Sequence, residues 1–282
     1  MKNLVRNKQF RLLLAGQSLN MFGDVALFLV LGIWVKDLTG SNGAAGGVFL
    51  ALSLPAFLAP FAGVYIDRFS RRLVMLLNDL VIGILVLALF FVTSAERVWI
   101  IYAVALIYGG SQQIFFAARS GLLVTMLSSD ELGDANGLLE SIRQGLRLVG
   151  PLIGAAVFAA FGGGAIAAID SATFFASAAF LAAMKVPEAS RSDERPPFRE
   201  ELTAGWRHID RTPALRVVMV VICIVLAVIG MVEVAMFALV DEGLGREPEF
   251  IGVIASIQGA GAILGGVISG PALRRIDEVN YL

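Results

Sequence analysis

The sequence is poor in the residues that enzymes and metal proteins commonly use. It contains one cysteine, Cys223, and one histidine, His208, in 282 residues. A single cysteine excludes an intrachain disulfide, and a single histidine excludes a histidine-rich metal cluster. The sequence also holds no Walker phosphate-binding motif and no nucleophile paired with a histidine base. We therefore expect a protein that is not an enzyme and that carries no metal and no cofactor.

Charged residues are also scarce. They make up 16% of the chain, hydrophobic residues make up 57%, and the mean hydropathy is +0.80. A soluble protein has about 25% charged residues, so the composition indicates an integral membrane protein. The net charge of −1 gives no basic excess, which argues against a nucleic-acid partner. The first apolar run, from about residue 10 to 34, is too long for a signal peptide and predicts a membrane helix.

Eight apolar segments are long enough to cross a bilayer as helices, which requires about 20 residues each. Strands of a membrane β-barrel span about 10 residues and alternate in polarity, whereas these segments are about twice as long and do not alternate. The sequence therefore predicts an all-α, polytopic transmembrane helical bundle. The predicted spans are residues 10–34, 45–66, 73–94, 98–122, 138–161, 163–184, 215–240 and 250–270.

The distribution of basic residues predicts the topology. Sixteen lysines and arginines precede the first span, follow the last, or occupy the second-to-third and sixth-to-seventh loops, against three in the alternate loops. By the positive-inside rule, both termini face the cytoplasm and the protein lies in a bacterial cell membrane. The polar segment 185–214, with an amphipathic helix in its second part, is predicted to link an N-terminal unit (1–184) to a C-terminal unit (215–282).

Two motifs and the linker carry a family resemblance. The first motif is a charged loop between the second and third spans, formed by Gly63, Asp67, Arg68, Arg71 and Arg72. The second is Gly150-Pro151 followed by Gly154 in the fifth span, and the linker contributes Gly205-Trp206-Arg207. Together they resemble the major facilitator superfamily (MFS), in particular its branch of drug, macrolide and siderophore exporters.

The resemblance implies a fold and an activity. Members have two six-helix halves, so the resemblance implies that the chain supplies the N-terminal half and the first two helices of the C-terminal half, either as a fragment or as an early-terminated reading frame. The implied function is proton-coupled efflux of small amphipathic molecules or drugs by an antiporter that works through alternating access. The implied partners are a small-molecule substrate, protons and the lipid bilayer. The alternative is a truncated, non-transporting membrane protein or an interaction partner of another transporter.

The resemblance also assigns roles to the two motifs. The loop with Asp67, Arg68 and Arg71 would clamp the halves at the cytoplasmic face, as a gating loop. Gly150, Pro151 and Gly154 would form a packing motif that permits close contact and a kink.

Ionisable residues inside membrane spans are candidates for function because a charge is costly there. Asp24 either binds a proton or a cationic substrate, or satisfies a neighbouring helix by hydrogen bonding. Arg119 either extends to the membrane interface or takes part in a proton relay. Asp170 is expected to hydrogen-bond locally with Ser171 or Thr173. Glu233 is either a proton-coupling site or a residue near the outer interface.

Glu140, Arg143 and Arg147 form a further candidate group. Steps of three and four residues place them on one face of the fifth helix, where Glu140 can pair with Arg143. Since this helix is predicted to begin near residue 138, the group is expected at its cytoplasmic end. A gating or inter-helix salt bridge is favoured over direct substrate contact.

Overall fold

The computed structural model describes residue 4, residues 6–58, 69–186, 210–248 and 250–259, and residue 261. Within these ranges the regular structure is helical and contains no strand, which confirms the predicted all-α bundle. The helices, numbered in chain order, are α1 (Lys8–Thr39), α2 (Asn42–Ser53), α3 (Arg71–Val86), α4 (Trp99–Met126), α5 (Ser129–Phe161), α6 (Gly163–Ala183), α7 (Pro213–Ala238) and α8 (Phe250–Gly259).

The ends of α1 follow from its sequence. The Asn7 side chain accepts hydrogen bonds from the backbone N–H groups of Gln9 and Phe10, at 3.0 and 3.3 Å, and so caps the first turn. At the other end Gly40 has a φ of 67°, which favours glycine, and donates to the carbonyl of Lys36. The next helix begins two residues later, so α1 and α2 form a tight hairpin.

Helix α5 begins nine residues before its predicted start, and the prediction near residue 138 was wrong. Ser128 and Glu131 form a capping box, in which Glu131 accepts from the backbone N–H of Ser128 at 3.2 Å. The apolar pattern missed this first part because it is polar. Glu140 and Arg143 consequently lie about three and four turns inside the helix rather than at its end.

Five helical segments of the described part are long and apolar enough to cross a membrane. They correspond to α1, to α3 with its 3₁₀ extension to Phe91, to α4 with the turn before it, to α5 and to α6. Helix α2 continues as a 3₁₀ turn to Leu58, where the described range ends. The bundle is centred on α1, which packs against α2, α5 and α6.

The division into an N-terminal unit, a linker and a C-terminal unit stays a prediction. Residues 187–209, which include the predicted amphipathic helix, lie outside the described residues. So do Gly63, Asp67 and Arg68 of the predicted gating loop.

Candidate functional site

Asp24 lies in the middle of α1 and faces α4. The Tyr108 hydroxyl donates a short hydrogen bond to one carboxylate oxygen, and the Gln112 amide donates to the other at 3.0 Å. Tyr108 and Gln112 are one turn apart on α4, so both reach the same carboxylate. The Tyr108 ring is fixed by an edge-on contact with Phe174 of α6, with 5.7 Å between ring centroids. Asp24 thus has two neutral donors, in the interior of the bundle.

Two further carboxylates, Asp79 of α3 and Asp170 of α6, are fully buried. Among the described residues, no group donates a hydrogen bond of ordinary geometry to either carboxylate. Thr173 donates to the backbone carbonyl of Asp170 at 2.7 Å rather than to its side chain, so the expected local hydrogen bond to the carboxylate is not formed. Ser177 of α6 approaches Asp79 without a hydrogen bond of ordinary geometry.

The sequence analysis missed Asp79. The signal was present, because Asp79 is a charged residue within the apolar run of residues 73–91. Its spatial neighbours could not be predicted from the sequence around it, because they belong to α1 and α6. The structure brings Asp24 within electrostatic range of both Asp79 and Asp170.

A glycine permits this arrangement. Gly23 of α1 lies directly against α6, and a Cβ atom at this position would be 2.5 Å from a carboxylate oxygen of Asp170. Any larger residue would separate the two helices and move Asp170 away from Asp24. The close approach of α1 and α6 therefore sets the distance between the two carboxyls.

Arg119 of α4 is partly buried and does not simply extend outward. Its guanidinium donates to the Gln17 side chain of α1 at 3.2 Å and lies over the Phe116 ring, 5.0 Å from the centroid. Together with Asn20, which is buried on α1, these residues continue the polar interior from Asp24 toward the start of α1. Arg119 and Asp24 therefore line the same polar interior, with Arg119 closer to the start of α1.

Glu140 and Arg143 form the predicted pair on α5, with Arg143 Nε 2.9 Å from Glu140 Oε2. Gln144 donates to the other carboxylate oxygen at 2.6 Å. The two charged side chains are 46% and 49% exposed, and Arg147 is exposed as well. Exposed ion pairs contribute little stability, and this pair lies within one helix. An inter-helix or gating role for the group stays a prediction.

The two described arginines of the charged loop bind helix ends. Arg72 donates to the carbonyls of Leu181 and Ala182 at the end of α6, at 2.7 and 2.6 Å. Arg71 donates to the Gly121 carbonyl and to the Thr125 hydroxyl of α4. Cations favour the carbonyl end of a helix, so both residues tie α3 to its neighbours.

The packing motif of α5 lies against α1 and α8. A Cβ at Gly150 would be 2.7 Å from Val25, and one at Gly154 would be 2.6 Å from the Ala26 carbonyl oxygen. On its other side, the Pro151 carbonyl approaches Gly252 of α8. Helix α5 is therefore in close contact with both α1 and α8.

A polar cluster where α1 ends joins α1 and α2 to the segment after α7, and the sequence analysis missed it. Lys36 of α1 forms a short ion pair with Asp241, which follows α7. Asn42 of α2 donates to Asp241 and Glu242 at 3.4 and 3.3 Å. Beneath it, Phe49 and Phe237 pack with their ring centroids 5.9 Å apart. Glu233 belongs to α7, but its side chain lies outside the described part.

Comparison with known proteins assigns the fold to a family. Residues 13–282 match the model of the Major Facilitator Superfamily. The chain is 25% identical over 276 residues to the uncharacterized MFS-type transporter YfiS of Bacillus subtilis (strain 168), covering 95% of this chain and 66% of YfiS. It is 30% identical over 190 residues to BacE of the same organism, a candidate bacilysin exporter, covering 66% of this chain and 46% of BacE.

Macrolide efflux protein A of Streptococcus pyogenes is 22% identical over 270 residues, which cover 93% of this chain and 66% of that protein. The chain thus matches at most 66% of the length of these curated relatives. The family model nevertheless covers nearly the whole chain, and the helical bundle agrees with it. The chain belongs to the Major Facilitator Superfamily of membrane transporters.

Proposed function

We propose that the protein takes part in proton-coupled efflux of small amphipathic molecules across a bacterial cell membrane. The observation that carries the proposal is the position of Asp24, in the interior of the bundle, between Tyr108 and Gln112. A carboxyl group at this depth is a site where a proton or a cationic group can bind.

The surroundings of Asp24 suit reversible protonation. Two neutral donors stabilise its ionised form, while burial favours its neutral form. No cation is hydrogen-bonded to Asp24 among the described residues, so neither form is fixed by an ion pair. A group that can adopt both forms is what coupling to a proton gradient requires.

The contacts between the two units support alternating access. One unit touches the other through the Lys36–Asp241 cluster and through α5 and α8. If the halves rock against each other, the ion pair would open and close while the α5–α8 contact slides. The names of BacE and of macrolide efflux protein A support export of small molecules as the direction of transport.

The proposal is tested by flux in proteoliposomes that contain the full chain. Ethidium serves as the amphipathic probe, and its movement is followed by fluorescence with and without an imposed pH gradient. We expect gradient-driven ethidium flux in the parent protein, and its loss in Asp24→Asn because this variant cannot exchange a proton at that site. Addition of a protonophore should abolish the parent flux.

A matched control separates a coupling role from a general charge effect. Asp37→Asn makes the same chemical change at an exposed residue of α1 outside the predicted span of residues 10–34, and should retain the parent flux. Gradient-driven flux in Asp24→Asn at equal reconstitution would refute the role of Asp24. Absence of flux in the parent would instead favour the non-transporting alternative.

A further inference from the structure

Asp79 of α3 and Asp170 of α6 lie close to Asp24 of α1 in the interior of the bundle. The proposed transport step does not use these two carboxyls. Both side chains are fully buried, and none of their four carboxylate oxygens accepts a hydrogen bond of ordinary geometry from a described residue, although Ser177 and Asn78 approach Asp79. A buried polar atom without a partner is unusual and requires an explanation.

The groups that face the two carboxyls come from four helices. Asp170 lies within electrostatic range of Asp24 of α1 and of the Tyr108 hydroxyl of α4. Asp79 lies close to Ser177 of α6 and to its own neighbour Asn78, and within electrostatic range of Asp24 of α1. Within the described residues, no lysine or arginine acts on either carboxyl. Arg119, a described cation of the polar interior, donates to Gln17 and lies within electrostatic range of Glu140 and Arg143.

Three carboxyls in one low-dielectric region cannot all be ionised. An isolated buried carboxylate without a donor or a counter-ion is strongly disfavoured and becomes neutral by taking up a proton. Asp24 is different, because it is only partly buried and has two donors. Of the three carboxyls, Asp24 is therefore the one in which the ionised form costs least. Asp79 and Asp170 are expected to be protonated.

We propose that Asp79 and Asp170 form an internal proton-binding site, in which both carboxyls are neutral while Asp24 is ionised. The ligand is the proton, and the site is linked to Asp24 through its charge, since interacting carboxyls titrate as a group. The role in transport rests on the proposed function. In that function, Asp24 would release its proton while Asp79 and Asp170 stay neutral.

Infrared spectroscopy of the full chain in lipid nanodiscs tests the proposal without any transport assay. Neutral carboxyls have a carbonyl stretching band that ionised carboxylates lack. We expect this band at neutral pH in the parent, a weaker band in Asp79→Asn and in Asp170→Asn, and the weakest in the double variant. An Asp37→Asn control should keep the parent spectrum.

The link to Asp24 gives a readout that a purely structural role would not change. As the pH rises, the band should disappear at lower pH in Asp24→Asn than in the parent, because one neighbouring negative charge has been removed. An unchanged titration in this variant, or a parent band that does not weaken in Asp79→Asn and Asp170→Asn, would overturn the proposal.

The unmodified protein provides a second test if the variants do not fold. Aspartate labelled with ¹³C at its side-chain carboxyl separates aspartic from glutamic acid bands, and exchange into D₂O then reports burial. We expect a labelled band from neutral carboxyls that shifts slowly in D₂O. Its absence at neutral pH would overturn the proposal, whereas loss of ethidium flux alone would refute only the proposed function.

Discussion

Arg72 belongs to the predicted gating loop, and the structure gives it defined partners on a neighbouring helix. Its guanidinium donates to two carbonyls at the end of α6. We expect Arg72→Ala to destabilise the bundle by about 1–3 kcal/mol, because hydrogen bonds to a charged donor are lost and carbonyls are left without it. The midpoint of thermal unfolding in detergent would measure the loss.

Two controls make the test of Arg72 specific. Arg72→Lys should recover only part of the stability, since an ammonium group cannot span two carbonyls as a planar guanidinium does. Arg11→Ala removes an exposed arginine of α1 and should change the midpoint little. Equal midpoints for Arg72→Ala and Arg11→Ala would contradict a structural role.

Asp241 allows a prediction about pH. The hydrogen bond and the charge of Lys36, with a smaller contribution from Asn42, lower the pKa of Asp241 below its ordinary value. A lowered pKa means that the ion pair contributes at every pH above the ordinary value, about 4, and is lost only as the pH falls through the lowered one. We therefore expect the contact between Lys36 and Asp241 to be unchanged from pH 5 to 8.

The distance between spin labels at Asp37 and Glu247, measured in a Cys223→Ser background, checks this prediction. Both positions are exposed beside the ion pair. The distance should be constant from pH 5 to 8 and should change only in acid. A change near neutral pH would show that another group controls this end of the bundle.

At this scale the sequence identifies candidates but not partners. Asp24 could be singled out because it is an acid in an apolar helix, and the same rule would have found Asp79. Tyr108 and Gln112 could not be assigned to Asp24, because the hydrogen bonds join residues 84 and 88 positions apart. Polar groups that meet through tertiary packing leave no periodic pattern in either helix.

At the scale of the helix, α5 shows how one substitution can have opposite effects at two positions. Gly154→Ala should destabilise the protein, because the new methyl group would lie 2.6 Å from the Ala26 carbonyl oxygen and overpacking costs about 1–3 kcal/mol. Gly137→Ala, at an open position on the same helix, should stabilise it by up to about 1 kcal/mol.

The comparison of the two α5 variants isolates the α1–α5 contact from helix propensity. Both would be measured by thermal unfolding in the same detergent, with retention of the helical circular dichroism signal as the check on folding. An increase of the midpoint in Gly154→Ala would show that α1 and α5 are not held at the distance seen in the structure.

The presence of the helices could be predicted from apolar runs. The positions of their ends depend on capping residues, which hydropathy does not detect. The predicted starts of α3 and α4 lie within two residues of the observed ones, because turn residues and an apolar run coincide there. The start of α5 was missed by nine residues, because Ser128 and Glu131 begin the helix in polar sequence. Helix caps are local signals, and they outweigh an apolar pattern that begins later.

At the scale of the whole molecule, the contact between the two units was beyond the reach of the sequence. Lys36 and Asp241 are 205 positions apart, and each is an ordinary residue at the end of an apolar run. The basic-residue count predicts that this end of the bundle faces away from the cytoplasm. If so, the ion pair joins α1 to the segment after α7 at the outer side, and moving these elements apart there requires the ion pair to separate.

Charge reversal tests whether this ion pair holds the two units together. Lys36→Asp places two negative charges opposite each other, so we expect a longer and broader distance distribution between labels at Asp37 and Glu247 in the Cys223→Ser background. Combination with Asp241→Lys restores an attractive pair of reversed sense and should restore the parent distribution. Interactions that a double-mutant cycle recovers in this way belong to the pair itself rather than to either residue.

Recovery in the double variant is informative, because a general disturbance of the fold by Lys36→Asp would not be reversed by adding Asp241→Lys. Lys185→Glu, which reverses an exposed charge after α6, should leave the distances unchanged and controls for total charge. Because Asp241 is about half exposed, the effect should also weaken at high salt, as expected for a screened pair. If Lys36→Asp leaves the distance distribution of the parent intact, the contact between α2 and α7 around Phe49 and Phe237 must hold this end closed without the ion pair.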